Sequence, residues 1–348
     1  MKLEAAKESF TKSLRRDAHT YRLLGFLLVV FLFFAIAKPD GFLQMRTWQA
    51  MAFQFPEFGL MALGVMLTMI TGGIDLSVVG IANMTSIGAA VIMLSLAPVD
   101  ASGGQATVAI LAAIIFALAA GALAGAFNGY LVSKVGIPPI LVTLGTLELF
   151  TGIAVIITGG KPVSGLPTQY GQIFAGKAFG VIPVPLIVFL LVAVIIAFLL
   201  TKTTYGIKLR LLGTNPKAAN LSGLHTTALL LKTYTISGMT AAAGGLVMLA
   251  NYNSAKADYG STYTLLTILI VVLGGVNPNG GSGRIIGVLL SVFTLQILSS
   301  GLNMFPSISS FYRPLIWGSA LLIVIVMDHF SEDGVLKKLR RKERVGSE

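Results

Sequence analysis

Few residues in this chain combine a reactive type with a suggestive setting. Gly72-Gly73-Ile74-Asp75-Leu76-Ser77 places one carboxylate between two long apolar runs with almost no loop. Asp75 can cap the run that follows, accepting hydrogen bonds from its first free N–H groups, or it can contact a solute or a partner. Glu148 lies near the middle of another apolar run. A carboxylate is costly there and is a functional candidate by default, whether it contacts a solute or only faces a water-filled cavity. Glu57 is a weaker case, nearer the end of its run. Asn83, Asn128, Gln296 and Asn303 are amides in or near such runs, able to line a solute path or to bond helix to helix. Gly280-Gly281-Ser282-Gly283-Arg284 resembles a phosphate-cradling loop, but no Lys-Ser/Thr follows and no strand precedes it, so it reads as a tight turn. The three histidines are dispersed without metal-ligand spacing, and the absence of cysteine excludes disulfides and thiolate metal sites. No nucleophile motif is present. Neither a cofactor nor a metal is expected, and an enzyme is disfavoured for want of any catalytic constellation.

The elements that must position these groups are membrane spans. Of 348 residues, 55% are hydrophobic and only 11% charged, against about 25% charged in soluble domains. Many apolar runs approach or exceed the roughly 20 residues that cross a bilayer. They are continuous rather than alternating, so the chain reads as an all-α, polytopic helical membrane protein and not a β-barrel. About ten spans are expected, at 21–37, 51–71, 76–96, 107–130, 137–158, 182–200, 228–250, 263–273, 285–303 and 312–327. The eighth is too short to cross alone and is expected either to extend back to Asp258 or to break inside the membrane. The first run ends at Lys38-Pro39-Asp40-Gly41 with no small-residue cleavage site, which is not a signal-peptide pattern. Residues 159–180 form a longer mixed segment rich in glycine. Three regions result: a basic N-terminal segment (1–20), a transmembrane domain (21–328) and a basic C-terminal tail (329–348).

One polar interruption stands out, Lys202 to Thr227. Asn215-Pro216 is a helix-start signal, since Asn can cap and Pro fits the first turn. Gly223 is a natural stop, because glycine takes the left-handed conformation that ends a helix. A short helix over 216–222 follows, with a small apolar face of Ala218, Ala219, Leu221 and Leu224. Such a helix can dock onto another protein or rest on lipid headgroups. The latter use is weakened by the lack of an aromatic anchor.

Charge fixes the expected orientation. The formal net charge of +11 is concentrated at both termini and in the 201–227 loop, so it points to membrane topology and not to nucleic acid. With both termini cytoplasmic, about nineteen of the 25 Lys and Arg residues fall inside; Lys38, Arg46, Lys161, Lys177, Lys256 and Arg313 fall outside. Gly121, Gly125, Gly244 and Gly245, set within spans, predict close helix packing.

Three stretches together resemble the permease subunit of the ribose-type branch of bacterial ABC importers. They are GGIDLSVVGIANMTSIGAA (72–90), NGYLVSKVGIPPILVTLGTLELFTGIAVIITGGKPV (128–163), and the run from YGIKLRLLGTNPKAANLSGLHT (205–226) to VVLGGVNPNGGSGRIIGVLLSVFTLQILSSGLNMF (271–305). The resemblance covers most of residues 50–328 in order. It implies a permease without ATPase activity of its own, in the cytoplasmic (inner) membrane. The implied partners are a cytoplasmic ATP-binding subunit, a periplasmic or lipid-anchored solute-binding protein, and a second permease copy or a related permease. Tyr205, Gly206, Gly213, Asn215, Ala218, Ala219 and Gly223 would form the ATPase-coupling segment. Asp75, Asn83, Asn128, Glu148 and Asn303 are the candidates for the translocation path. Glu148 stands where such permeases usually carry a small or apolar residue. The solute stays open among pentose, hexose, autoinducer-like and nucleoside-like ligands. An ion-coupled secondary carrier is the alternative, though it would be expected to carry several intramembrane carboxylates rather than one.

Overall fold

The computed structural model describes residues 2–101, 103–307, 312, 314–323 and 326, with side chains from residue 19 onward. The tail 329–348, with His329, and Arg313 lie outside the described residues. Helices run in chain order as α1 Lys2–Ala37, α2 Pro39–Phe42, α3 Met45–Ile70, α4 Val78–Leu96, α5 Gly104–Tyr130, α6 Pro139–Thr158, α7 Thr168–Phe174, α8 Val184–Lys202, α9 Thr204–Thr214, α10 Pro216–Leu221, α11 Thr226–Tyr252, α12 Tyr263–Leu273, α13 Ile285–Leu302 and α14 Pro314–Ile323. Among the described residues eight helices are long and apolar enough to cross a membrane, and α12 and α14 are shorter apolar helices. These ten follow the order expected from hydropathy. The eighth does not extend back to Asp258, because turns occupy 257–262 and α12 starts at Tyr263.

α3 and α11 form the centre; the outer helices α6 and α8, and α1 over His19–Ala37, leave most of their surface free. The α5–α11 contact is made possible by missing side chains. A Cβ on Gly125 would collide with the Tyr234 carbonyl, and one on Gly121 would lie 2.5 Å from the Gly238 carbonyl oxygen. Backbones therefore touch directly, as small residues allow within a membrane. α5 ends in one π-helical turn, Leu131–Val135, stopped by Gly136 in the left-handed conformation.

The connections gather at two ends of the bundle. At one end, the Gly281 N–H donates to the Ile70 carbonyl at 2.9 Å. Gly213 fits between those same residues, where a Cβ would collide with both. At the other end, the two-residue strands β1 Val163–Ser164 and β4 Ser254–Ala255 pair antiparallel, with Val163 opposite Ala255. A hairpin of β2 Lys177–Ala178 and β3 Ile182–Pro183 stands beside them in the chain before α8.

Candidate functional site

The polar interruption folds as its punctuation dictates. Asn215 is extended, and its Oδ1 accepts from the Ala218 N–H at 3.0 Å, capping α10. Pro216 occupies the first turn, and Gly223 follows at φ +79. The expected docking face, however, divides. Ala219 is only 5% exposed and belongs to the core, Leu224 packs half-buried against it, and Leu221 is 90% exposed. Ala219 therefore seats α10 on its own chain, and the projecting apolar group is Leu221.

The loop before α10 is the amphipathic helix α9. Leu209 and Leu212 face the core while Lys208 and Arg210 lie on its other sides. Tyr205 is buried at its start. Thr233 already donates its hydroxyl to the Leu229 carbonyl at 2.7 Å, so at 2.9 Å the Tyr205 hydroxyl is the donor to Thr233. Burial pushes the Tyr205 phenol up to about 12, so it stays neutral and able to donate. A Cβ on Gly206 would collide with the Leu200 carbonyl, which makes the α8–α9 corner dependent on glycine. A groove of about 630 Å³ lies between α9 and the start of α11, lined by Tyr205, Lys208, Leu211, Leu224, His225 and Lys232 among others. Its wall includes Ser222 and Gly223, the two residues that follow Leu221 in the chain.

Of the five candidates for a solute path, only Asp75 and Asn128 come together. Asp75 is buried; its Oδ1 accepts from the Ser77 N–H at 3.0 Å and the Ser77 hydroxyl at 2.6 Å. Its Oδ2 accepts from the Ser237 hydroxyl of α11 at 2.7 Å. The capping role is present as a local turn ahead of α4, but the carboxylate also ties α4 to α11. Asn128 joins the same network, donating from Nδ2 to the Ser77 hydroxyl at 2.7 Å, with its Oδ1 unpartnered among the described residues. Asn83 instead donates to the carbonyls of Ala257 and Tyr259, each at 2.8 Å, and pins the turn before α12. Asn303 ends α13. Glu148 is exposed on the outer surface of α6, with no hydrogen-bond or ion-pair partner among the described residues. Glu57, a lesser candidate in the sequence, is the more elaborately built carboxylate. It accepts from Asn251 Nδ2 at 2.8 Å, from the Tyr252 hydroxyl at 2.9 Å and from the Tyr263 hydroxyl at 3.0 Å, linking α3, α11 and α12 at the end opposite α10. Its partners lie 194 to 206 residues away, beyond any local sequence signal.

Comparison with known proteins follows the same lines. A family model described as "Branched-chain amino acid transport system / permease component" matches residues 48–327. The ribose import permease protein RbsC of Bacillus subtilis is 36% identical over 272 residues, covering 78% of this chain and 80% of the relative. The autoinducer 2 import system permease protein LsrD of Photorhabdus temperata is 30% identical over 321 residues, 90% of this chain and 91% of the relative. Among solved structures, an inward-facing ABC transporter assigned to the metal-chelate type aligns with a TM-score of 0.51 at 17% identity, covering 88% of this chain and 98% of that one. That likeness speaks for the fold alone.

Proposed function

Because the chain belongs to the family described as branched-chain amino acid transport system / permease component, we propose that it is the membrane subunit of an ATP-driven importer, moving a monosaccharide or similar small polyol-like solute by alternating access. The cargo class rests on the relatives named for ribose and autoinducer 2 import. The partners are a cytoplasmic ATP-binding subunit, a solute-binding protein on the opposite face, and a second permease chain. The seat is the bacterial inner membrane, with both termini and residues 201–227 cytoplasmic, an orientation that the Lys and Arg distribution supports.

One observation carries this reading: α10 is a capped, glycine-stopped helix that projects Leu221, and the residues that follow it line a basic groove between α9 and α11. A rigid helix seated by Ala219 can transmit displacement of an ATPase to α9 and α11, and through them to the spans. Asn215, Ala218 and Gly223 shape it, and Tyr205, Gly206 and Gly213 fix its base.

The test separates seat from contact. Leu221→Glu leaves the core untouched and sets a charge against an apolar partner pocket. It should keep a normal membrane level yet reduce ATPase co-purification tenfold or more, the effect of losing about 2 kcal/mol at a central contact. Ala219→Glu buries a charge inside the chain itself and should lower the amount of folded protein. Full ATPase association and solute-stimulated ATP hydrolysis in the Leu221→Glu protein would remove α10 from the coupling role.

A further inference from the structure

α8 and α11 stand apart along one side of the bundle. α8 rests mainly on α3, and between it and α11 lies a slot of about 480 Å³. Its walls include Val188, Val192 and Leu199 of α8 and Ile236, Ala243 and Val247 of α11. It opens to the outside of the bundle beside Ile195 and Met239, both exposed. The slot offers no free polar side chain among the described residues. Its two hydroxyls are committed to backbone, Tyr170 donating to the Leu246 carbonyl at 2.8 Å and Thr240 to the Ser237 carbonyl at 2.9 Å. A polyol would lose its hydrogen bonds with water and gain none there, so the slot is no solute path. One turn before Ile236, on the same face of α11, is Lys232. With Lys208 it lines the groove between α9 and α11. No carboxylate pairs with either lysine among the described residues, and Lys232 lies over the Tyr205 ring at 5.7 Å. Basic groove and apolar slot thus follow one another along a single face of α11.

We propose that this joined site holds one anionic phospholipid, with its phosphate between Lys208 and Lys232 and an acyl chain in the slot between α8 and α11. The lengths agree. Ile236 and Val247 are eleven residues apart, about 16 Å along the helix, and the acyl layer of one leaflet is about 15 Å, half of the hydrocarbon core. Lys232 is the seventh residue of a 27-residue span, about 10 Å from its start. From that depth a lysine reaches the phosphate layer by extending its stem. The charge agrees as well, since basic pockets between spans attract anionic headgroups. A second copy of this chain is the poorer occupant. Its exposed carboxylates, among the residues described with side chains, are Asp40, Asp100 and Asp258 at the opposite end and Glu148 in mid-span. The ATPase contact stays separate, because Leu221 is not part of the groove lining. The lipid instead braces α9, the helix that leads into α10. Only the choice of leaflet rests on the orientation proposed above, which makes it the cytoplasmic one.

Binding is read on the purified full-length chain in detergent, by native mass spectrometry with phosphatidylglycerol and phosphatidylcholine of matched acyl chains. One phosphatidylglycerol per chain should bind about tenfold more tightly than phosphatidylcholine, because only the former carries a net charge to meet the two lysines. The double variant Lys208→Gln, Lys232→Gln should lose that preference and still bind phosphatidylcholine. Ala243→Phe fills the slot and should weaken both lipids about tenfold; Val192→Trp fills it from the α8 side should the first fold poorly. Phosphatidylglycerol with a photoactivatable group on its acyl chain should label α8 and α11. Glycerophosphoglycerol, the same headgroup without chains, should not compete. Equal binding of the two lipids, an unchanged preference in the lysine variant, or undiminished binding in the slot variants would overturn the proposal. So would competition by the free headgroup, or labelling spread evenly over the exposed faces of α1 and α6. No ATPase enters these measurements, so the importer reading and the lipid site fail separately. An unaltered chain that binds the lipid but no ATPase sinks only the former, and one that binds an ATPase without lipid preference sinks only the latter.

Discussion

Asp75 shows how one side chain can be read correctly and incompletely. Its position between two apolar runs announced a local cap, and Ser77 supplies that partner two residues on. Ser237 lies 162 residues away and left no trace at this end of the sequence. With Ser77, Ser237 and Asn128 all committed to one buried network, removing the acceptor leaves several donors stranded. Asp75→Ala should cost about 3 kcal/mol or more. Asp75→Asn keeps one acceptor oxygen, and the Ser237 hydroxyl can rotate to accept from the new amide, so it should cost about 1 kcal/mol. Thermal unfolding in detergent, followed by the native tryptophans, should rank the variants in that order. Equal and negligible losses would mean that the network does not hold α4 to α11.

Elements were legible wherever their signal is local. Hydropathy marked ten apolar helices, and Asn215, Pro216 and Gly223 bounded α10. α9 was not legible, because its Lys208 and Arg210 give the stretch a loop-like charge, and its buried Leu209 and Leu212 become meaningful only once a core lies beside them. The strand pairing of 163–164 with 254–255 was invisible for a similar reason: two residues on each side carry no pattern. The glycines make the sharpest contrast at this scale. Gly125→Val drives a branched side chain into the Tyr234 backbone and should separate α5 from α11, sharply lowering the amount of folded protein in the membrane. Gly25→Ala on the exposed side of α1 meets nothing within 4 Å and should leave that level unchanged or slightly raised. Gly223→Val falls between them. It finds open space but must adopt φ near +79, a local cost of about 1–2 kcal/mol. It should loosen the stop of α10 and reduce uptake more than abundance, measured by quantitative blotting beside solute transport.

At the scale of the whole molecule the spans alternate in direction, and the polar features sort to opposite ends accordingly. His19 at the start of the first span lies against Gly275, and Ile70 and Gly213 meet Gly281, so the beginning of the chain shares an end with α10. Glu57, Asn251 and Tyr263 meet at the other end. Which end faces the cell interior is a question of charge, and the Lys and Arg distribution supports our proposal that the α10 end lies inside. Two single-cysteine variants test this without background. Phe179 is 95% exposed in the β2–β3 hairpin, and Leu221 is 90% exposed on α10, so burial cannot mask either thiol. A membrane-impermeant maleimide applied to cells whose outer barrier has been opened should label Phe179→Cys at once. It should label Leu221→Cys only after the cytoplasmic membrane is permeabilised. The reverse pattern would invert the protein in the membrane and would leave α10 on the side where no ATP is available to drive it.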